Sequence, residues 1–248
     1  MVEAIKQHRS IRSYIADKEI PEATMLQLIE AASRASTTGG MQLYSIIVST
    51  SQEMKEKLSP LHFNQPMVKS CSAVVTICAD VARFSQWCEL RGAEPSYHNF
   101  AWWVNAAIDA LLAAQNFCTE AESEGLGICY LGTTIYTTEK LIETLELPRG
   151  VIPVTTIVVG YPQITPSELT PRLPLEAIYH KEKYTAPSTD DINSWWQETE
   201  RSEQTKTLLE VNAQPTLAHV FTENRYKKAD NLAISESYFA AIKSQGFI

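Results

Sequence analysis

Glycine is scarce, nine residues in 248, and no two of the five cysteines, Cys71, Cys78, Cys88, Cys118 and Cys129, lie closer than seven positions. The spacings of C-x-x-C redox and zinc sites are therefore absent, and the odd count favours free thiols in a reducing cytosol. Also missing are the phosphate-loop pattern G-x-x-x-x-G-K-[ST], the dinucleotide fingerprint G-x-G-x-x-G, the nucleophile elbow G-x-S-x-G and the zinc motif H-E-x-x-H. His62, His98, His180 and His219 are scattered without spaced partners, so no metal site is expected. Positive charge is also in deficit. Lys and Arg number 21 against 29 Asp and Glu, a net −8 that repels polyanions and excludes nucleic acid as an expected partner. The longest apolar candidate, residues 101–118, is interrupted by Asn105, Asp109 and Gln115, so it reads as a buried helix and not as a membrane span. The start MVEAIKQHRSIRSY has no apolar core of the kind a secretory signal needs, and the expected location is the cytoplasm.

What remains is an ordinary globular composition, 44% apolar and 20% charged. Residues 1–248 are read as a single domain with an extended arm at 161–191 and a helical tail. Pro21 opens a helix over 22–35, and the turn-forming residues 36–40 lead to a strand at 45–50. The Val- and Ile-rich run 73–79 has no polar alternation, as expected for a central strand covered on both faces. Residues 102–124 are apolar around nearly the whole circumference, which predicts a helix enclosed on all sides and capped by Gly125. Strands at 128–131 and 154–160 flank a Thr-capped helix near 139–147. Five prolines in 161–191 argue for an extended arm, and two tail helices are expected over 192–210 and 232–243.

The chemistry-bearing cluster is His8-Arg9-Ser10-Ile11-Arg12-Ser13-Tyr14, a basic and hydroxyl-rich stretch in an acidic chain. Arginine forks hold phosphate oxygens bidentately and a serine hydroxyl adds a neutral donor, so the cluster suits an anion. A solvated basic face or a regulatory anion surface uses the same residues, and composition leaves these readings open.

H-R-S-I-R-S-Y so near the start resembles the H-R-S-x-R-x-[FY] opening of the FMN-dependent nitroreductase family. The similarity continues through residues 36–42, Gln65, the segment GLGICYLG at 125–132, the strand end VGYP at 159–162 and PRLP at 171–174, with order and spacing preserved. The nearest branch is that of the NADPH-dependent, oxygen-insensitive nitroreductases and flavin reductases.

The resemblance implies an α+β fold, a central mixed or largely antiparallel sheet flanked by helices, in an intertwined homodimer with two FMN sites. It implies that His8, Arg9, Ser10 and Arg12 grip FMN, Arg12 at the N1/C2 carbonyl edge, where it tunes the cofactor electrostatically. Gln65 would bond the pyrimidine rim, with Gln42 approaching the same region. Tyr130, Leu131 and Gly132 would back the ring, a backbone N–H there serving N5. Arg172 would reach the phosphate from the arm, and Arg201 and Lys206 would meet the 2′-phosphate of NADPH. No side chain is expected to act as catalytic acid or nucleophile. Electrons would pass from NADPH or NADH through FMN to nitroaromatics, quinones or free flavin by a ping-pong scheme; an FMN-binding module with little turnover is the alternative. Two positions depart from the pattern: Thr170 replaces a common lysine, with Lys181 or Lys183 nearby to offset it, and Thr133 replaces a glycine.

Overall fold

In the computed structural model, which describes residues 1–248, the short helix α1 (Glu3–Lys6) leads into an irregular stretch that carries the basic cluster. Pro21, its φ fixed near the helical value, starts α2 (Glu22–Ser33), whose Met25, Leu28 and Ala32 are buried at helical spacing. There follow β1 (Tyr44–Ser49), α3 (Gln52–Leu58), α4 (Pro66–Ser70), β2 (Ala73–Asp80) and α5 (Ala82–Leu90). The long helix α6 (Phe100–Ser123), β3 (Gly127–Leu131), α7 (Thr138–Thr144) and β4 (Val151–Gly160) complete the core elements.

The four strands form one sheet in the order β1-β2-β4-β3, every neighbouring pair antiparallel. The fold is thus α+β with a wholly antiparallel sheet. Side chains alternate across the strands: Val75, Ile77 and Ile157 point to a layer built with Leu28, Ala110 and Phe117 of α2 and α6. Val74 and Val158 point to the other side, where Leu58, Val68 and Leu141 pack with Ile11 and Tyr14. Every residue of β2 is buried, Thr76 and Asp80 included, as expected for a strand without polar alternation.

Two packing units emerge, residues 1–167 with 234–248, and residues 168–233. In the second, residues 168–188 hold only a 3-10 turn at Leu175–Ala177. A capping box between Ser188 and Asp191 then starts α8 (Thr189–Arg201). The single helix expected over 192–210 is two, because Ser202 turns extended and caps α9 (Glu203–Asn212) through its hydroxyl. α10 (Leu217–His219), a π-helical stretch at Val220–Arg225 and the start of α11 (Lys228–Ser244) follow. From Ile234 onward α11 belongs to the first unit, where Ala241, Ile242 and the fully buried Phe247 join Leu43, Ala79 and Ile152.

Two further expectations are corrected. Helix α6 is not enclosed by its own chain: Phe100, Ile108, Leu111 and Leu112 are 43–50% exposed. An apolar circumference alone does not report which of its faces the same chain covers. Thr137 does not cap α7, because its hydroxyl donates instead to the Leu61 carbonyl at 2.8 Å.

Candidate active site

The basic segment is laid along the edge of β3. Ile11 donates its backbone N–H to the Ile128 carbonyl at 2.8 Å, and Ser10 forms a parallel bridge with Ile128. Beyond it the chain crosses to the end of β4, where Ile15 N–H bonds Tyr161 O and Gln163 N–H bonds Ser13 O, both at 2.9 Å. The buried Tyr14 hydroxyl donates to Ile11 O at 2.7 Å and approaches Val158 O at 3.2 Å, pinning the segment from beneath. Burial pushes this phenol far above its ordinary value, so it stays protonated. This crossing needs Gly127: a Cβ there would stand 2.6–2.8 Å from Ile11 side-chain atoms.

Ser10 and Arg12 thereby come beside the Cys129 thiol, which burial pushes up while those two neighbours pull it down. Arg12 is exposed and makes no ion pair. The other two basic groups are engaged. Arg9 donates to Gln7 O at 3.1 Å, to Gln7 Oε1 at 2.8 Å and to Pro166 O at 2.6 Å. His8 Nδ1 lies 2.8 Å from Glu122 Oε1 near the end of α6. That pairing joins residues 114 apart in sequence, and no local pattern announces it.

Gly132 follows the last residue of β3, exposed, and a Cβ built on it meets nothing within 4 Å, so its backbone can be approached closely. Tyr130 and Leu131 turn their side chains to opposite layers. The Tyr130 phenol sits near Cys118 and is pushed far up by burial, while Leu131 is only 2% exposed among the residues beneath the sheet. Gln65 lies in a turn where Phe63 and Asn64 take left-handed φ of 56° and 54°, its amide donating to His62 O at 3.1 Å. The His62 ring meets the Thr133 hydroxyl at 2.8 Å, which brings the Gln65 turn against the Gly132 turn. Ser10 and Arg12 thus lie along the edge of β3, and Gln65 and Gly132 lie on turns that meet just beyond the end of the same strand.

Within the single chain Gln42 stands apart from them. It precedes β1, and β1 and β3 are the two opposite edges of the sheet, three strand spacings or roughly 14 Å apart. Its loop is held with care all the same. Gln42 has a left-handed φ of 52°. The buried Asp109 carboxylate accepts from Thr38 N at 2.9 Å, Thr38 Oγ1 at 3.1 Å and Leu43 N at 3.2 Å. From the other side Arg83 donates to Gln42 O at 2.6 Å and Tyr44 O at 3.0 Å, with Asp80 3.7 Å from its guanidinium. Sequence reasoning foresaw none of these contacts of Asp109, Arg83, His62 and Thr133. One signal was present, the lone carboxylate inside the apolar run 101–118.

Arg172, Arg201 and Lys206 lie in the second unit. Arg172 is exposed, its guanidinium 3.5 Å from Thr170 O; Arg201 occupies the last turn of α8, and Lys206 pairs with Glu203 on α9. All five cysteines are free and buried, and burial pushes Cys71, Cys78 and Cys118 up to about 12, which keeps these three as thiols.

Comparison with known proteins adds to this geometry. The Nitroreductase family model matches residues 5–161. An FMN reductase (NADPH) of Bacillus subtilis strain 168 is 40% identical over 193 residues, 77% of this chain and 76% of that protein. An oxygen-insensitive NADPH nitroreductase of Salmonella typhimurium is 33% identical over 186 residues, 74% of each chain. A solved structure from Bacteroides fragilis NCTC 9343 shares 46% identity over 100% of both chains, with a TM-score of 0.97.

Proposed function

This chain belongs to the nitroreductase family, and we propose that it is an NADPH-dependent FMN oxidoreductase that reduces nitroaromatics, quinones or free flavin. One observation carries the reading: the basic segment docks on β3, the strand that runs into Gly132, so the unpaired Arg12 guanidinium and an uncrowded backbone lie along one strand.

The donor set fits FMN. Arg12 offers a planar fork with no carboxylate to quench it, and Ser10 a neutral hydroxyl. Gln65 keeps its amide oxygen free while its nitrogen is engaged with His62 O, so it is oriented to accept from a ring N–H. Bare Gly132 keeps side chains off the ring's approach, and Tyr130 and Leu131 contribute main chain only. Arg9 and His8 shape the segment through Pro166 and Glu122, and Arg172 is assigned to the phosphate, with Lys181 or Lys183 offsetting Thr170.

Bound FMN would supply the redox chemistry of the proposed ping-pong scheme. The chain's own work is positioning and electrostatics: a fixed cation at the flavin's N1/C2 edge favours the reduced, more anionic cofactor. Arg201 and Lys206 are assigned to the 2′-phosphate of NADPH.

The reading includes a homodimer. Gln42 reaches an FMN edge only if a second copy presents it, and the exposed apolar stripe of α6 gives that copy a surface to cover. Five buried free thiols agree with a reducing cytoplasm. The test is anaerobic addition of NADPH to FMN-loaded protein: rapid bleaching of the flavin colour supports the assignment, and persistent colour refutes it.

A further inference from the structure

The turn that carries Gln65 and the turn that carries Gly132 are joined through one buried imidazole. The His62 carbonyl accepts from Gln65 N at 3.2 Å and from Gln65 Nε2 at 3.1 Å, so both polar ends of Gln65 on this side depend on where His62 sits. The ring, 0% exposed, meets Thr133 Oγ1 through Nδ1 at 2.8 Å, while its Nε2 is buried without a partner. Thr133 is thus the ring's single polar anchor. Burial pushes the imidazole down to about 4, so at neutral pH it is uncharged, with one N–H and one lone pair, and its bond to Thr133 is directional.

A second tie runs alongside, from the Thr137 hydroxyl to Leu61 O at 2.8 Å. On the Gly132 side, Thr133 is the very next residue, so the bond fixes the strand end within one peptide unit. Phe63 and Asn64, both left-handed, leave the Gln65 turn with backbone strain that an anchor must hold. Thr133 also stands at the position where the family resemblance leads to glycine, which has no hydroxyl to offer.

We propose that His62 and Thr133 are positioning residues, whose hydrogen bond sets the Gln65 amide and the Gly132 N–H at a fixed separation along the flavin edge. The inference rests on the reading that those two groups bond FMN, yet the mechanical part is testable without the cofactor.

The experiment compares wild type with Thr133→Val, which keeps shape and loses the hydroxyl, and Thr133→Ser, which restores it. In the ligand-free chain, hydrogen exchange at the Asn64 and Gln65 amides is expected to quicken about fivefold in Thr133→Val and to return to the wild-type rate in Thr133→Ser. With FMN, Thr133→Val is expected to weaken binding about fivefold and to shift the flavin's midpoint potential, both restored by Ser. A merely structural role would lower the melting temperature and leave potential and affinity at wild-type values. Unchanged exchange across residues 62–65 overturns the coupling. Quickened exchange with unaltered FMN affinity and potential overturns the positioning role. Wild-type protein that binds no FMN overturns the functional reading instead, and the ligand-free exchange still decides the coupling.

Discussion

Ile11 and Ile128 are joined by a 2.8 Å backbone hydrogen bond across 117 positions of sequence, and this contact lays the basic segment beside β3. Gly127 makes room for it. Adding a methyl there places Cβ 2.6–2.8 Å from Ile11 atoms, so Gly127→Ala should cost about 1–3 kcal/mol of stability in urea unfolding and lift the segment off the strand, weakening FMN binding as well. Gly132→Ala meets no atom within 4 Å and should leave the unfolding midpoint unchanged while hindering the approach of a flat ligand. The pair of variants separates packing from access.

Arg12 is exposed and unpaired, so Arg12→Gln should fold with wild-type stability. Its loss should show in FMN titration as about ten- to a hundredfold weaker binding, the usual range for removing a charged hydrogen-bonding partner. Wild-type affinity in Arg12→Gln would remove this residue from the site.

The imidazole of His62 is held down at about 4 against about 6.5 in an unfolded chain, with burial as the cause. Between these values the unfolded chain binds the extra proton, so stability falls as pH drops from about 6.5 through about 4 and levels off below. The contribution is of order 3 kcal/mol for so buried a group. Urea unfolding at pH 7 and pH 5 should show a smaller loss in His62→Gln than in wild type.

Asp109 organises the Gln42 loop with three hydrogen bonds from a buried position. Asp109→Ala strands those donors and should destabilise by about 2–4 kcal/mol, with faster hydrogen exchange at the Leu43 amide. Exchange at Leu43 identical to wild type would show that the carboxylate does not hold the loop.

The apolar stripe of α6 gives a prediction about assembly. Leu111→Asp together with Ile108→Asp should convert a dimer to monomers by light scattering, because both residues are nearly half exposed on the single chain. A wild-type chain that is monomeric at micromolar concentration would contradict the dimer.

Much of this architecture could be read from the residues. The unbroken run in β2 reports burial on both faces, and the start of α2 follows from Pro21. The pieces of the proposed site that sequence displays are the contiguous ones, the segment around Arg12 and the turn at Gly132. It was not legible where long-range geometry decides. His8 with Glu122 and His62 with Thr133 are pairs made by the fold, and neither has a local pattern. Gln42 lies at the far sheet edge because strand order, which sequence does not display, sets β1 and β3 apart. The break at Ser202 was hidden because serine serves equally as a helix interior residue and as a cap.

The central claim is that the segment around Arg12 and the end of β3 together hold one flavin. Titration of the purified, flavin-free chain with FMN, read by quenching of flavin fluorescence, tests it most directly. Saturable binding of one FMN per chain, markedly weakened in Arg12→Gln, is the predicted result; a chain that leaves FMN fluorescence untouched, or binds it equally well without that guanidinium, would contradict it.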